Sequence, residues 1–171
     1  FAYYGAGWND NQKPFEEGKV ALWIGSSGSF GGLQKTATMP FSATFLPYWG
    51  SIKGAGTNSF IGGAALFAMS GKSEAENKCV ADFFQFLTSP EIQVFYHKAT
   101  GYVAITKAAY EKAKAEGYYK EKPVAEVGIQ QLSLPGGEWS KGYRLGFYPQ
   151  IRAVMEREYN RIFSGEVTPK A

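Results

Sequence analysis

The sequence predicts a fold that combines β-strands with α-helices, of the α/β or α+β class. Three features predict it: an alternating apolar run that ends in a glycine- and serine-rich turn, two further short apolar runs, and helical periodicity that starts near residue 73. A helical bundle would lack the first two features, and a β-sandwich would lack the third.

The three predicted strands lie in the first 70 residues. Residues 19–24 alternate apolar and other side chains and end in the turn Gly-Ser-Ser-Gly-Ser at 25–29, and residues 43–46 and 60–69 are the other two runs. Because glycine weakens a strand, the pair of adjacent glycines that ends at Gly63 predicts a bend or the close approach of another group to the backbone.

Five helices are predicted from residue 73 onward, and most have a start or stop signal. Ser89 caps the second helix, with proline at the next position, and Gly101 closes it. Thr106 caps the third helix, which is predicted to run to about residue 116 and to be ended by Gly117. The other three helices are predicted to begin near Ser73, Val124 and Pro149.

Apolar residues at helical spacing predict the faces that these helices bury. The residues are Val80, Phe83, Phe84 and Leu87 on the first helix, Ile92, Phe95 and Tyr96 on the second, and Ile151, Val154, Met155 and Ile162 on the last. The single cysteine, Cys79, lies in the first helix, so we expect a buried or half-buried side chain rather than a reactive thiol.

Composition limits the classes of partner. The chain has 171 residues, of which 44% are apolar and 16% aromatic, enough for one packed core. The net charge of +3 comes from scattered residues without a block of like charge, so nucleic acid is not an expected partner. The longest apolar runs are shorter than the roughly 20 residues that cross a bilayer. The opening residues read as mature protein rather than a secretory signal, so we expect the natural start to lie upstream.

Motifs for catalysis or for a metal are absent from the sequence. His97 is the only histidine and has no second histidine or cysteine at ligand spacing, which argues against zinc and against a histidine-based triad. The 25–29 turn matches neither a nucleophile elbow nor a P-loop. The sequence therefore predicts no enzyme, no cofactor and no metal.

Four positions instead offer groups that hold a polar ligand without reacting with it: Ser26, Gly63, Tyr102 and Arg152. An arginine matches phosphate or carboxylate with its planar fork, hydroxyls and backbone amides satisfy the remaining anion oxygens, and a tyrosine adds a ring and a hydroxyl. Each side chain also has a structural interpretation: a surface arginine, a core tyrosine or a simple turn serine.

The order and spacing of a set of motifs resemble one family throughout. The motifs are Gly25-Ser-Ser-Gly-Ser29, Phe60-Ile-Gly-Gly-Ala-Ala-Leu66, Thr100-Gly-Tyr102, Ile105-Thr-Lys-Ala-Ala-Tyr110, and Lys141-Gly-Tyr-Arg-Leu-Gly146 with Pro149-Gln-Ile-Arg152. The set is similar to the extracellular solute-binding proteins of ATP-driven (ABC) importers, the family that includes the maltodextrin-binding proteins, and within it to members that capture glycerol phosphate. The resemblance covers essentially the whole chain.

The resemblance implies a two-lobe α/β fold, the type II periplasmic-binding-protein fold, which encloses its ligand between the lobes. Residues from 1 to about 60 and from about 110 to 171 would belong largely to the C-terminal lobe, and the hinge-crossing segment from about 65 to 109 to the N-terminal lobe. Such a chain would be the C-terminal part of a longer protein, truncated at both ends. It would be periplasmic, or extracytoplasmic and tethered to the membrane in a Gram-positive source.

The resemblance also implies a role for each of the four positions. Ser26 matches a hydroxyl contact to the ligand, and Gly63 matches a backbone contact. Tyr102 matches a tyrosine that reaches the phosphate, and Arg152 the arginine that pairs with it. The sequence departs from the family pattern at residues 103–104, Val-Ala, where leucine and proline are common, and this change affects the loop that contains Tyr102.

The implied function is the capture of glycerol-3-phosphate or a glycerophosphodiester, without catalysis, for delivery to a membrane permease. Two rivals stay open. One is oligosaccharide binding, by a relative in the same family or by a free-standing sugar-binding module, with Trp23, Trp49 and Trp139 lining a groove. The other is a phosphodiesterase, which would need clustered carboxylates or metal ligands. We also expect exposed apolar surface and, because of it, association or a dimer of the chain.

Overall fold

A computed structural model of the chain describes residues 4–5, 8–137, 142 and 144–170. Over these residues the chain forms eight α-helices and two 3₁₀ turns, Ser27–Ser29 and Pro123–Glu126. The helices are α1 (Trp8–Glu16), α2 (Phe30–Thr36), α3 (Glu74–Leu87), α4 (Pro90–Thr100), α5 (Lys107–Ala115), α6 (Tyr118–Glu121), α7 (Val127–Leu132) and α8 (Tyr148–Phe163). None of these described helices is long and apolar enough to span a membrane.

The chain divides into two compact units. The first unit consists of Phe1–Gly25, Thr36–Phe41 and Gly142–Ala171, and the second consists of Ser26–Lys35 and Ser42–Lys141. Helices α1 and α8 belong to the first unit, and α3 to α7 belong to the second. The lobe boundaries that the resemblance implies stay a prediction.

No strand forms within the described ranges, so the prediction of strands at 19–24, 43–46 and 60–69 is wrong for this structure. A strand is held by backbone hydrogen bonds to a neighbouring strand, and no described segment forms such a ladder with these three. Their apolar side chains also lack a layer to pack against, since Leu22 is 90% exposed and Phe67 is 83% exposed. The predicted α/β or α+β class is therefore only partly present: the described residues contain the predicted helices but not the predicted strands.

All five predicted helices are present, as α3, α4, α5, α7 and α8. A capping box starts α3: the Glu76 amide donates to the Ser73 hydroxyl, and the Ser73 amide donates to the Glu76 carboxylate at 2.9 Å. Thr106 caps α5 by accepting from the Ala109 amide at 3.2 Å. Gly101 closes α4 in the left-handed conformation, as predicted. These boundaries follow from local signals in the sequence.

The buried face of α4 is not the predicted one. Val94 and His97 are buried, Ile92 is half-buried, and Phe95 and Tyr96 are exposed. Two apolar stripes run along this helix, and the one that contains Val94 is selected because it faces the small side chains of α5. Spacing alone does not distinguish between the two stripes.

Other side chains also differ from the predictions. Phe83 and Cys79 on α3 are exposed, whereas Val80, Phe84 and Leu87 are half-buried. On α8 the side chains of Ile151, Val154 and Met155 are exposed and that of Ile162 is half-buried. The Ser89 hydroxyl makes no cap bond to α4 and donates instead to the Phe86 carbonyl at 2.7 Å. The apolar side chains predicted to be buried on α3 and α8 are thus exposed or half-buried in the structure.

The core of the second unit forms where α4 and α5 meet the two tyrosines of α6. Its buried members are Val94, Ala109, Ala113, Tyr118 and Tyr119. Ala109 and Ala113 are fully buried and one helical turn apart, so α5 presents a flat face that α4 can approach closely. The rings of Tyr118 and Tyr119 lie 5.5 Å apart, centroid to centroid, and bring hydroxyl groups into this core.

Gln131 of α7 holds an irregular segment of the second unit in place. Its side chain is buried, and its Oε1 accepts from the Leu46 amide at 3.0 Å. Its Nε2 donates to the carbonyls of Leu46 at 3.4 Å and Thr57 at 3.3 Å. One side-chain amide thus satisfies both backbone groups of Leu46, which is the part that a neighbouring strand would otherwise play.

The first unit has a smaller aromatic centre. Phe15 of α1 is buried, with its ring stacked on Trp23 at 6.0 Å and edge-on to Phe41 at 6.1 Å. Both the amide and the hydroxyl of Thr38 donate to the Glu16 carbonyl at 2.9 Å, which ties the end of α1 to the 36–41 segment. The aromatic contacts are therefore reinforced at the backbone.

Candidate ligand-binding site

The site is built around the end of α4, where Gly101 is required for two reasons. Its φ of 85° lies in the left-handed region, which favours glycine. A Cβ at this position would also lie 2.5 Å from the Ser27 carbonyl oxygen and 2.8 Å from the Phe30 Cβ. The 25–29 turn therefore packs directly on the end of α4, and any side chain at residue 101 would separate them.

Tyr102 follows immediately, and its ring lies against two glycines. A Cβ on Gly28 would be 2.8 Å from the ring, and one on Gly63 would be 3.9 Å away. The Tyr96 ring lies 5.9 Å from the Tyr102 ring, centroid to centroid, and both side chains are exposed. The structure thus brings together the serine-rich turn, Gly63 and Tyr102, which are distant in the sequence.

Ser26 lies at the start of this turn, in an exposed position. Its hydroxyl oxygen accepts a hydrogen bond from the Gly28 amide at 3.2 Å, and its carbonyl accepts from the Ser29 amide at 3.0 Å. A hydroxyl that accepts one bond keeps its own proton as a donor. Ser26 can therefore shape the turn and donate to a ligand oxygen at the same time.

At Gly63 the φ of 127° is one that glycine adopts readily, and the predicted bend is present.

Side chains of α4 hold the backbone of the loop that contains Tyr102. The Thr100 hydroxyl accepts from the Tyr102 amide at 3.1 Å, and the Gln93 side chain accepts from the Ile105 amide at 3.1 Å. His97 Nδ1 lies 2.6 Å from the Tyr102 carbonyl oxygen. The loop is therefore fixed at three backbone groups, and its Val-Ala sequence at 103–104 fits this arrangement, since Ala104 packs against the core.

His97 is a site residue that the sequence reasoning missed. It is 1% exposed, and both of its ring nitrogens have partners, since Nε2 lies 3.1 Å from the Tyr119 hydroxyl. Burial lowers the pKa of His97, the Tyr102 carbonyl opposes this, and the charge of Lys98 lowers the pKa further. The only signal in the sequence was a lone histidine five residues before Tyr102, and spacing gives no indication of its partners.

Arg152 is the fifth residue of α8, in the other unit. Its side chain is 60% exposed, and its Nε donates to the Glu156 carboxylate at 2.8 Å, four residues along the helix. This hydrogen bond and the carboxylate charge raise the pKa of the Arg152 guanidinium. An exposed pair at this spacing is weak, so Arg152 can turn to another anion at small cost.

The tryptophans proposed to line a sugar-binding groove do not all belong to one unit. Trp23 is half-buried beside Phe15 in the first unit, Trp49 is exposed in the second, and Trp139 lies outside the described residues. Within the described part of the chain, no group of three or more histidine, cysteine, aspartate or glutamate side chains is placed to bind a metal ion.

Comparison with known proteins identifies the family. Residues 2–125 match the sequence profile of the bacterial extracellular solute-binding proteins. The chain belongs to that family. The family assignment made from the motifs in the sequence is therefore confirmed.

Several members of this solute-binding family are similar over the whole chain. The sn-glycerol-3-phosphate-binding periplasmic protein UgpB of Yersinia pseudotuberculosis is 40% identical over 172 residues, which cover 100% of this chain and 39% of that protein. The UgpB proteins of Pectobacterium atrosepticum and Salmonella typhimurium are 39% and 38% identical over 99% of the chain. The chain spans about two fifths of the length of these relatives.

A solved structure of this solute-binding family shares the fold. The crystal structure of UgpB from Mycobacterium tuberculosis in complex with glycerophosphocholine superposes with a TM-score of 0.73 at 25% sequence identity. The match covers 88% of this chain and 36% of that one. The similarity in fold is therefore consistent with the family assignment.

Proposed function

We propose that this chain is part of the substrate-binding component of an ABC importer that captures sn-glycerol-3-phosphate or a glycerophosphodiester. The observation that supports this best is the cluster of Tyr102, Gly63 and the turn that begins at Ser26, in a chain that is similar throughout to glycerol-3-phosphate-binding proteins. A phosphate group needs several hydrogen-bond donors and a positive charge. Hydroxyl, backbone and phenol groups of the cluster would supply the donors, and the resemblance to the family assigns the positive charge to Arg152.

Each residue of the proposed site has a distinct chemical task. The Ser26 hydroxyl and the backbone at Gly63 donate to or accept from the polar ends of the ligand, and the Tyr102 hydroxyl donates to a phosphate oxygen. The Arg152 guanidinium forms a charge-assisted contact with the phosphate, because its planar fork matches two of the oxygens. In this proposal the ligand replaces Glu156 as the partner of Arg152.

The proposed mechanism is capture without chemistry. The type II α/β fold would close two lobes on the ligand, and this closure would shield the arginine contact from water before the complex docks on the membrane permease. The same proposal includes an extracytoplasmic location, periplasmic or membrane-tethered, and excludes a role as an enzyme. The relatives whose names refer to a periplasmic protein support the location.

A second candidate is oligosaccharide binding. The observation in its favour is Trp49, an aromatic ring that is 72% exposed and able to stack on a sugar. This function requires no phosphate, so the two candidates are distinguished by ligand chemistry alone.

Isothermal calorimetry on the full-length protein tests the proposal. Glycerol-3-phosphate, glycerophosphocholine and maltose are titrated in turn, and we expect binding of at least one of the first two and none of maltose. Binding of maltose alone would establish the oligosaccharide function and end the phosphate assignment.

The contribution of Arg152 is tested with a matched pair of variants. Arg152→Ala should weaken binding of the phosphate ligand by about tenfold or more, since it removes the one proposed positive contact. Arg157→Ala is the control, because Arg157 is on the same helix, is 65% exposed and also pairs with a glutamate. Equal affinities of the two variants would show that Arg152 does not bind the phosphate.

A further inference from the structure

The buried ring of His97 is joined on one side to the proposed ligand site. Its Nδ1 contacts the carbonyl of Tyr102, and its Nε2 contacts the hydroxyl of Tyr119 in the core. A polar ring that is this deeply buried is costly unless both of its nitrogens have partners. The His97 ring thus links the α6 core to the backbone of the loop that contains Tyr102.

The chemistry of the two partners fixes the tautomer of His97. A carbonyl oxygen only accepts hydrogen bonds, so Nδ1 must carry a proton for the 2.6 Å contact with Tyr102 to be a hydrogen bond. Burial lowers the pKa of His97 and so favours the neutral ring, in which Nε2 is bare and accepts. Burial also raises the pKa of Tyr119, so its hydroxyl keeps the proton that it donates to Nε2.

Both backbone polar groups of Tyr102, the amide and the carbonyl, are therefore hydrogen-bonded to side chains of α4. The Thr100 hydroxyl accepts from its amide, and the His97 ring donates to its carbonyl. With both peptide groups fixed, the Tyr102 side chain leaves the loop in a direction that places its ring on Gly28 and near Gly63.

We propose that His97, as the neutral tautomer protonated on Nδ1, is the positioning residue that directs Tyr102 into the ligand site. This inference rests on the proposed function, because it assumes that the orientation of the Tyr102 side chain serves ligand binding. His97 does not touch the ligand. It acts through the hydrogen bond to the Tyr102 carbonyl, which fixes the tautomer, and Tyr119 supports the ring by donating to Nε2.

Two replacements of His97 separate positioning from simple filling of space. The amide nitrogen of asparagine is as many bonds from Cα as Nδ1, so His97→Asn keeps a donor for the Tyr102 carbonyl. The amide of glutamine reaches the position of Nε2 instead, so His97→Gln loses that donor. In calorimetry with glycerol-3-phosphate on the full-length protein, we expect His97→Gln to bind about tenfold more weakly and His97→Asn to stay within about threefold of the wild type.

A nitrogen spectrum tests the same arrangement without any ligand. In a long-range ¹H–¹⁵N correlation spectrum of the full-length protein, the histidine signals that His97→Asn removes should show a protonated Nδ1 and a bare Nε2. In Tyr119→Phe the donor to Nε2 is gone but the Tyr102 carbonyl remains, so we expect the proton to stay on Nδ1. Circular dichroism confirms that each variant is folded.

The outcomes keep the two proposals apart. A protonated Nε2 with a bare Nδ1 in the wild type, or a His97→Gln variant that binds as tightly as the wild type, overturns the positioning role. If the folded wild type binds neither glycerol-3-phosphate nor glycerophosphocholine, the proposed function fails, and the nitrogen spectrum still confirms or refutes the hydrogen bond to Tyr102.

Discussion

Gly28 and Gly101 are both needed near Tyr102, for different reasons. Gly101 adopts a left-handed conformation and also leaves no room for a side chain. Gly28 has no such backbone requirement, and the atoms nearest to where its Cβ would be belong to the Tyr102 ring, at 2.8 Å. The ring is a movable side chain, whereas the neighbours of Gly101 include backbone. A methyl group at residue 28 should therefore displace the ring without disturbing the fold.

This difference gives a prediction for Gly28→Ala. We expect the affinity for glycerol-3-phosphate to fall by about three- to tenfold, because the displaced ring no longer directs its hydroxyl at the ligand, while thermal stability stays close to that of the wild type. Gly32→Ala is the control, since no atom beyond its chain neighbours and its own helix backbone lies within 4 Å of the Cβ it would introduce. Calorimetry and thermal melts on the full-length variants provide both measurements, and an unchanged affinity of Gly28→Ala would contradict the role of Tyr102.

His97 also makes stability depend on pH. Its folded-state pKa is lowered from 6.5 by burial, with the Tyr102 carbonyl opposing and Lys98 adding to the shift, while the facing phenols of Tyr118 and Tyr119 stay neutral. Between the lowered pKa and 6.5 the unfolded chain binds more protons than the folded one. The free energy of unfolding should therefore fall as the pH drops below about 6.5, until the folded-state pKa is reached.

The measurement is urea unfolding of the full-length protein at several pH values from about 7.5 to about 5. His97→Asn is the control, because asparagine does not titrate in this range. We expect the difference in unfolding free energy between wild type and variant to shrink as the pH is lowered. A difference that stays constant over the whole range would contradict a neutral, buried His97.

At the scale of single residues, the sequence indicated which chemical groups are at the proposed site, but not which neighbouring side chains hold them in position. Ser26, Gly63 and Tyr102 were singled out because their chemistry suits a polar ligand, and the Tyr102 ring does lie near Gly63 and against Gly28 of the turn that Ser26 begins. Their contacts with a ligand stay a prediction, as does that of Arg152. His97 was missed because its importance comes from Tyr119, which lies 22 residues away and meets it only through folding.

At the scale of elements, the helices were predictable and the strands were not. A helix such as α3 or α5 is bounded by side chains within three or four residues of its ends, so its signals are local. A strand needs a partner that is distant in the sequence. In the segment 43–46, the backbone of Leu46 is hydrogen-bonded by the Gln131 side chain and not by a neighbouring strand. Alternation of apolar residues shows that a segment is able to pair, but gives no information on whether a partner is present.

The role of Gln131 can be tested against its neighbour. Gln131→Leu leaves the Leu46 amide without its acceptor, so we expect hydrogen exchange at this amide to speed up by about tenfold or more. The exposed Gln130 provides the control, because Gln130→Leu leaves every bond of Gln131 intact. Mass spectrometry of peptides that contain Leu46, from the full-length variants, measures the exchange. Equal rates in both variants would show that Gln131 does not hold this segment.

At the scale of the whole molecule, many large apolar side chains of the described residues are exposed. Leu22, Phe67 and Phe147 are each at least 80% exposed, and Trp49 and Phe95 are at least 70% exposed. The sequence predicted this exposure from the resemblance to a longer family, and the relatives are indeed more than twice as long as this chain. Apolar surface of this extent favours contact with other protein surface over contact with water.

The final prediction concerns the 171-residue chain expressed alone. We expect it to associate, so that gel filtration with light scattering at micromolar concentration gives a mass above the 18.8 kDa of one chain. The driving force is burial of exposed apolar side chains, at about 25 cal/mol per Å². The double variant Phe67→Ser, Phe95→Ser removes two of the most exposed aromatic rings and should shift the distribution toward the monomer. A wild-type chain that stays monomeric and binds no hydrophobic dye would contradict this expectation, because its apolar side chains would then have to be covered within the chain itself.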